Sequence, residues 1–301
     1  MPTMTPLAFI EAIARAGSIR AAAEGLAITS TALNRRLLAL ERELGAPVFE
    51  RLPRGVRLSP AGELLVQHIR SQRADLDRVR SQIADLSGER RGHVSVACSQ
   101  ALLPYFLPRE IAAYRAGHRQ VTFDVRLRDR EQAERALVAH EADIALVLEP
   151  VRLSEVQVLA TAIQPIHAVM RVGHPLAAKA EIRLSDCVDY PAGLPNEPYA
   201  VRQIMDHAMR RTGVVLTPAI TSDSFEFLRY YPGLEDCVTF QIPIGLPPEL
   251  ERDRVVSRPV SQRDLPAGVL YLAQLRGRSL PVAAANFARQ LARALDADHR
   301  G

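Results

Sequence analysis

From residue 29 the chain reads TSTALNRRLLALERELG, and its Leu33, Leu37, Leu40 and Leu44 recur at i, i+4, i+7 and i+11, one stripe of a helix built for burial. Thr31, Arg35 and Arg42 point away from that stripe, Asn34 lies on its flank, and Thr29 or Ser30 can cap the start. Upstream, Leu7, Phe9, Ile10 and Ile13 predict a first helix over 6–16, broken by Gly17. Ser18 then caps a short helix in SIRAAAEGL, where Ala22 and Ala23 carry so little bulk that another helix can approach closely. Residues 25–28 make the turn between the two. Helix, tight turn and second helix, with small residues on the first and polar groups on the second, is the helix-turn-helix pattern.

Further on, GAPVFERLPRGVRLSPAG predicts two short strands, near 48–52 and 56–58, joined at Pro53-Arg54-Gly55 as a wing. Ser59 followed by Pro60 is a helix start. From there Leu65, Ile69, Gln72, Leu76, Val79, Ile83 and Leu86 alternate spacings of four and three, a heptad seam with charges between. The stripe is narrow, which favours a dimerising helix; a helix packed on its own domain is the other reading. SGERRG at 87–92 reads as a hinge. Beyond it, strands near 93–98, 120–128 and 143–149 alternate with helices near 104–115 and 130–141, the rhythm of parallel βαβ units. The rhythm resumes with strands near 166–172, 219–222, 255–258 and 268–275 and helices near 199–212 and 280–295.

Charge sharpens this division. Residues 1–92 hold 14 arginines against 10 acidic residues, whereas the remaining 209 residues balance at 24 of each sign. The basic excess therefore lies with the helix-turn-helix, as expected of a segment that meets a polyanion. Cys98, Cys187 and Cys237 are far apart, with no CxxC pair or histidine cluster, and read as isolated buried thiols. No run of about 18 apolar residues and no basic-then-apolar leader is present, so the reading is a cytoplasmic protein without membrane or cofactor.

With these blocks in place, the N-terminal run resembles the LysR-type transcriptional regulators. Gly17, Ser18, Ala22, Ala23 and Leu26 match one block, Leu40, Glu41, Leu44 and Gly45 a second, and Phe49, Arg51, Leu58, Ser59, Ala61 and Gly62 a third. The resemblance implies an α/β chain: an N-terminal winged helix-turn-helix at 1–58, a dimerising linker helix at 59–87 and a hinge at 88–92. A two-lobed effector domain resembling periplasmic binding proteins follows, lobe I at 93–161 plus 269–301 and lobe II at 162–268. It implies double-stranded DNA with a partly palindromic operator as partner, a homodimer or homotetramer, and contact with RNA polymerase.

The outer face of the second helix then acquires a purpose. Ser30, Thr31, Asn34 and Arg35 are candidates for the major groove, where Arg pairs with guanine and Asn with adenine. Arg51 and Arg54 are candidates on the wing, with Arg54 at its tip; solvated surface arginines are the plainer alternative for either. Leu65, Ile69, Leu76, Val79 and Ile83 are the dimerisation candidates. For the effector, a small polar or carboxylate metabolite, Ser99 and Gln100 follow the first strand, Arg130 the second, and Asn196 and Thr221 occupy comparable loops of lobe II. Capping or turn duty fits each of these five as well. An enzyme is the competing class, but GxSxG, Walker A, GxGxxG and HExxH motifs are all missing. A solute-binding protein would need an export signal and no basic helix-turn-helix.

Overall fold

The protein is described by a computed structural model over residues 6–86, 91–149, 151–197, 199–247, 249–250 and 254–298. Its contacts divide it into two units, one up to Asp77 and one from Arg78. Most of the expected hinge at 88–92 lies outside the described residues.

The first unit runs α1 (Pro6–Ala16), α2 (Ile19–Gly25), α3 (Ser30–Leu44), β1 (Phe49–Leu52), β2 (Gly55–Leu58) and the greater part of α4 (Pro60–Leu86). Thr29 caps α3 by accepting the Ala32 N–H at 3.2 Å, and Gly45 closes it in the left-handed conformation. The core gathers Phe9, Ile10 and Ile13 of α1, Ala22 and Ala23 of α2, Leu33 and Leu37 of α3, and Val48 and Phe49. Leu44, the last residue of the predicted stripe, is exposed instead, because the chain turns away directly after it.

Two glycines lock the wing to the helices. β1 and β2 pair antiparallel with Leu52 opposite Gly55, leaving a two-residue turn at Pro53-Arg54. Gly55 has φ +120°, and a Cβ there would lie 2.3 Å from the Gly17 carbonyl oxygen, which accepts the Val56 N–H at 2.9 Å. A Cβ at Gly62 would meet the Val48 carbonyl at 2.0 Å, so only glycine lets α4 cross the wing so closely. Glu41 completes the join, accepting the backbone N–H groups of Val48 at 2.7 Å and Phe49 at 3.3 Å.

In the second unit two five-stranded sheets define two lobes. The first takes β3 (Gly92–Cys98), β4 (Val121–Leu127), β5 (Ile144–Leu148), β6 (Val156–Gln164) and β12 (Gly268–Leu275) in the order β4-β3-β5-β12-β6. The second takes β7 (His167–Arg171), β8 (Ala192–Pro195), β9 (Pro218–Ser222), β10 (Val238–Gln241) and β11 (Val255–Pro259) in the order β11-β7-β10-β8-β9. Helices α5 (Phe106–Gly117), α6 (Arg130–Val138) and α9 (Val282–Asp298) accompany the first; α7 (Ala200–Thr212) and α8 (Phe225–Tyr230) accompany the second.

The parallel βαβ expectation holds for β3 with β4 and β5 and for β8 with β9 and β10, but not throughout. β12 runs antiparallel to β5 and β6, and β7 antiparallel to β10 and β11, because the strands that carry the chain between lobes enter each sheet reversed. The chain leaves lobe I after Gln164 and returns at Gly268, where the two residues face each other across the β6–β12 ladder; the crossings expected were near 161 and 268. β6, β8, β10 and α8 had no counterpart in the hydrophobic pattern. Beneath lobe I, Arg278 donates to Asp143 at 2.7 Å, both side chains nearly buried, and Asp143 also accepts the Ser95 N–H and hydroxyl.

Candidate functional site

On α3 the structure buries Leu33 and Leu37, leaves Thr31 and Arg35 exposed on the opposite side and Ser30 exposed at the helix start, with Asn34 half-buried on the flank. The side chains offered outward are two hydroxyls and a guanidinium, joined by an amide on the flank, a donor-rich set suited to base edges and phosphates. Arg51 of β1 donates to the Asn34 side-chain oxygen at 3.4 Å, which ties wing to recognition helix and leaves the Asn34 amide nitrogen turned to its surroundings. Arg54 stands exposed at the wing tip; Arg57 is held by Glu50 at 2.7 Å.

The predicted seam along α4 splits. Ile69 is buried with Val66 in the core of the first unit, and Leu65 packs against the same cluster. Glu11 of α1 lies 3.4 Å from Arg73 and 3.9 Å from Arg70, so this half of the helix is fastened within its own chain. Ile69 is thus corrected from a dimer contact to a core residue, and Leu65 is partly covered by the same core. A heptad stripe states only that one face wants burial; here the wing and α1 are the nearer apolar surface. Leu76, Val79 and Ile83 are 50%, 40% and 58% exposed.

Between the lobes lies a cavity of about 250 Å³. Its lobe I wall is the carboxyl edge of the parallel strands: Ser99 and Gln100 after β3, Arg128, Asp129 and Arg130 between β4 and α6, and Leu148 and Glu149 at the end of β5. Arg152 joins them, and lobe II contributes Tyr199, Gln203 and Phe225. Ser99, Gln100 and Arg130 therefore come together as the sequence suggested. Asn196 and Thr221 do not line the cavity: Asn196 donates to Asp223 at 2.9 Å, and Thr221 lies on the edge strand β9, paired with Leu194. Asn196 is thus engaged within lobe II, and Thr221 is exposed on its strand.

The lining residues differ in how far they are already engaged. Gln100 accepts the Phe225 N–H at 2.6 Å, a bond from lobe to lobe, while the Ser99 hydroxyl oxygen is buried with no hydrogen-bond partner among the described residues. Asp129 caps α6 through the Gln132 N–H at 2.7 Å. Arg130 donates to Glu134 at 2.9 Å, and Glu134 also accepts the Arg152 and Leu153 N–H groups. Glu149 adopts φ +86°, a left-handed backbone costing on the order of 1–3 kcal/mol outside glycine, of the kind that collects at ligand clamps. Burial pushes its carboxyl above the ordinary carboxylate range, opposed by the charges of Arg130 and Arg152. Across the opening, burial and the nearby Asp223 and Asp129 raise the Tyr199 phenol. Arg128, Glu149, Arg152 and Tyr199 were not singled out in the sequence; Arg128 and Glu149 directly follow strands and Tyr199 directly precedes a helix, whereas Arg152 lies inside a loop with no local signal.

Among the described residues no group of three or more His, Cys, Asp or Glu side chains is arranged to hold a metal, and no helix is long and apolar enough to cross a membrane.

A winged helix-turn-helix with a donor-rich outer helix, followed by two lobes enclosing a ligand-sized cavity, defines a regulator that reads DNA and answers to a small molecule. Residues 4–63 match the bacterial regulatory helix-turn-helix protein model of the lysR family, and residues 87–296 match the LysR substrate binding domain. The chain belongs to the LysR family of transcriptional regulators, DNA-binding proteins rather than enzymes. It is 28% identical over 211 residues to the RuBisCO operon transcriptional regulator of Allochromatium vinosum, 70% of each chain. Against the regulator CbbR of Sinorhizobium medicae it is 31% identical over 180 residues, 60% of this chain and 57% of that one. Its fold matches a full-length OxyR variant of Pseudomonas aeruginosa with TM-score 0.68 at 21% identity, covering 98% of this chain and 95% of that one. Full-length CbnR in complex with its target DNA matches with TM-score 0.64 at 16% identity, covering 96% and 98%. The effector binding domain of QuiR in complex with shikimate matches with TM-score 0.58 at 15% identity, covering 69% and 98%.

Proposed function

We propose that this regulator acts in the cytoplasm as a homodimer or dimer of dimers on a partly palindromic operator, α3 of each protomer entering the major groove through Ser30, Thr31, Asn34 and Arg35. Arg51 and Arg54 of the wing meet the backbone or minor groove. The protomers join along the exposed Leu76, Val79 and Ile83 of α4. The observation that carries the reading is the division of α3 into a face buried against α1 and α2 and an exposed face of donors braced by Arg51.

The cavity between the lobes is the effector site, with Ser99, Gln100, Arg128, Arg130 and Arg152 offering hydroxyl, amide and guanidinium groups to an oxyanion. QuiR with shikimate offers a precedent for a small acid in such a domain. Effector binding shifts the lobes, and with them DNA bending and contact with RNA polymerase, in so far as it prefers one arrangement. DNase I footprinting upstream of the chain's own gene tests the first part: two protected half-sites about one helical turn apart are expected, and uniform, sequence-independent protection would sink it. A thermal-shift screen of metabolites against wild type and Ser99→Ala tests the second; stabilisation indifferent to cavity substitutions would place the effector elsewhere.

A further inference from the structure

We propose that the cavity takes a small zwitterion, an amino-acid-like molecule with one oxyanion and one ammonium, and that Glu149 receives the ammonium. This rests on the reading of the cavity as the effector site.

The argument is a census of charge. Of the acidic groups on the wall, Asp129 is engaged in capping α6, and Glu131 is paired with Arg135. Arg130 is committed to Glu134, whose side chain is 2% exposed. What remains is two guanidiniums outside any ion pair among the described residues and one carboxylate held only by a long ion pair to Arg130. Among the described residues neither Arg128 nor Arg152 has a carboxylate within ion-pair distance of its side chain, and Arg128 donates only to the carbonyl of Leu127. The Glu149 carboxylate accepts no hydrogen bond from any described residue; its nearest cation is Arg130, at 4.0 Å.

Glu149 is also held where it stands. Its N–H is bonded to the Val269 carbonyl at 2.9 Å, and its left-handed backbone turns the end of β5 into the cavity wall, with the side chain only 16% exposed. A simple carboxylic acid would satisfy the arginines while enclosing Glu149 against a second anion. A simple amine would satisfy Glu149 and leave both guanidiniums unmet. A ligand with both charges meets all three groups, and an enclosed charge left unpaired penalises any ligand that lacks its complement. A cavity of about 250 Å³ lies just under the usual range for ligand pockets, roughly 300–1,000 Å³, which fits a molecule of amino-acid size.

The test uses the full chain, with the proteinogenic primary α-amino acids, proline left out, and the corresponding α-keto acids as matched probes, read by thermal shift and titration calorimetry. Each pair shares carboxylate and side chain and differs in the ammonium. The expected result is at least one amino acid that stabilises wild type and binds about tenfold or more tightly than its keto acid, the scale at which an unmatched buried group discriminates. Glu149→Gln, which keeps the shape and removes the charge, should erase that preference, whereas Arg152→Ala should weaken both members of the pair. A keto acid that binds wild type as well as its amino acid overturns the proposal without recourse to any variant. Amino-acid binding that falls with Arg152→Ala but ignores Glu149→Gln removes the zwitterion and leaves the effector cavity standing. Absence of binding by every amino acid, while another metabolite stabilises the chain through Ser99, also overturns it.

Discussion

Arg35 and Arg54 represent two ways for one side chain to meet DNA, and they should separate on measurement. In the proposed docking Arg35, exposed on α3, contacts a base, so Arg35→Ala should weaken operator binding by about 1–3 kcal/mol and random-DNA binding far less. Arg54, at the wing tip, should on removal weaken both more evenly and flatten the salt dependence. Fluorescence anisotropy on operator and scrambled duplexes across a salt series decides this, and equal losses for both variants would erase the distinction. His167 carries a different kind of consequence. Burial lowers its pKa from 6.5 to about 4, and burial also lowers that of His174, against the pull of Asp236. At His167 the unfolded chain takes up a proton below about pH 6.5 while the folded chain refuses it, so its contribution to stability is complete above that pH and is lost as pH falls toward 4, and His174 acts in the same direction. Urea midpoints should therefore drop between about pH 7 and pH 5, and His167→Gln should flatten the slope; an unchanged slope would assign the titration to other groups. The thiols are inert by the same cause: burial pushes Cys98 and Cys187 up to about 12 and Cys237 to about 11. A disulfide reagent at about pH 8 should modify them only after denaturation, and rapid labelling of the native chain would reveal local opening.

At the scale of elements, α4 has one half in the core of the first unit and, in the proposed assembly, its other half in the dimer seam. Ile69→Ala should cost the first unit about 2–5 kcal/mol, because it empties a position packed among Val66, Phe9 and the wing residues. Leu76→Glu should leave that unit folded and instead dissociate the dimer, since two like charges would face each other in an apolar seam. Circular dichroism together with analytical ultracentrifugation separates the two outcomes; a Leu76→Glu chain that stays dimeric would place the interface elsewhere. The heptad spacing was legible in the sequence because helical periodicity is local. Its division was not, because whether a leucine meets its own wing or a second protomer depends on which surface arrives first. The same limit explains β6, β8 and β10. β8, written AGLP, and β10, written VTFQ, are four-residue strands buried throughout, too short for a period to show, and β6 is an edge strand with an irregular pattern of burial.

For the whole molecule, a fragment of residues 90–301 should fold alone, since both crossings between the lobes lie inside it and its own core cluster spans the two sheets. Within it, replacing Arg278 by Met should cost about 3–5 kcal/mol by leaving Asp143 buried and uncompensated, measurable as a fall in the denaturation midpoint. A midpoint unchanged within error would mean that water reaches Asp143. The sequence by itself determined the order of elements in the first unit, the caps at Ser18 and Ser59 and a cap at Thr29 or Ser30, the outward set on α3, and the strand ends at Ser99 and Arg130, because these depend on neighbours a few residues away. Only the tertiary structure decided that Gln100 spends its amide oxygen on Phe225, that Asn196 turns to Asp223, and that Glu149 shares a cavity with Arg128 and Arg152 while accepting no hydrogen bond from any described residue. Those outcomes depend on groups tens of residues apart competing for the same hydrogen bonds and charges, and the competition is settled only when two sheets close on one cavity.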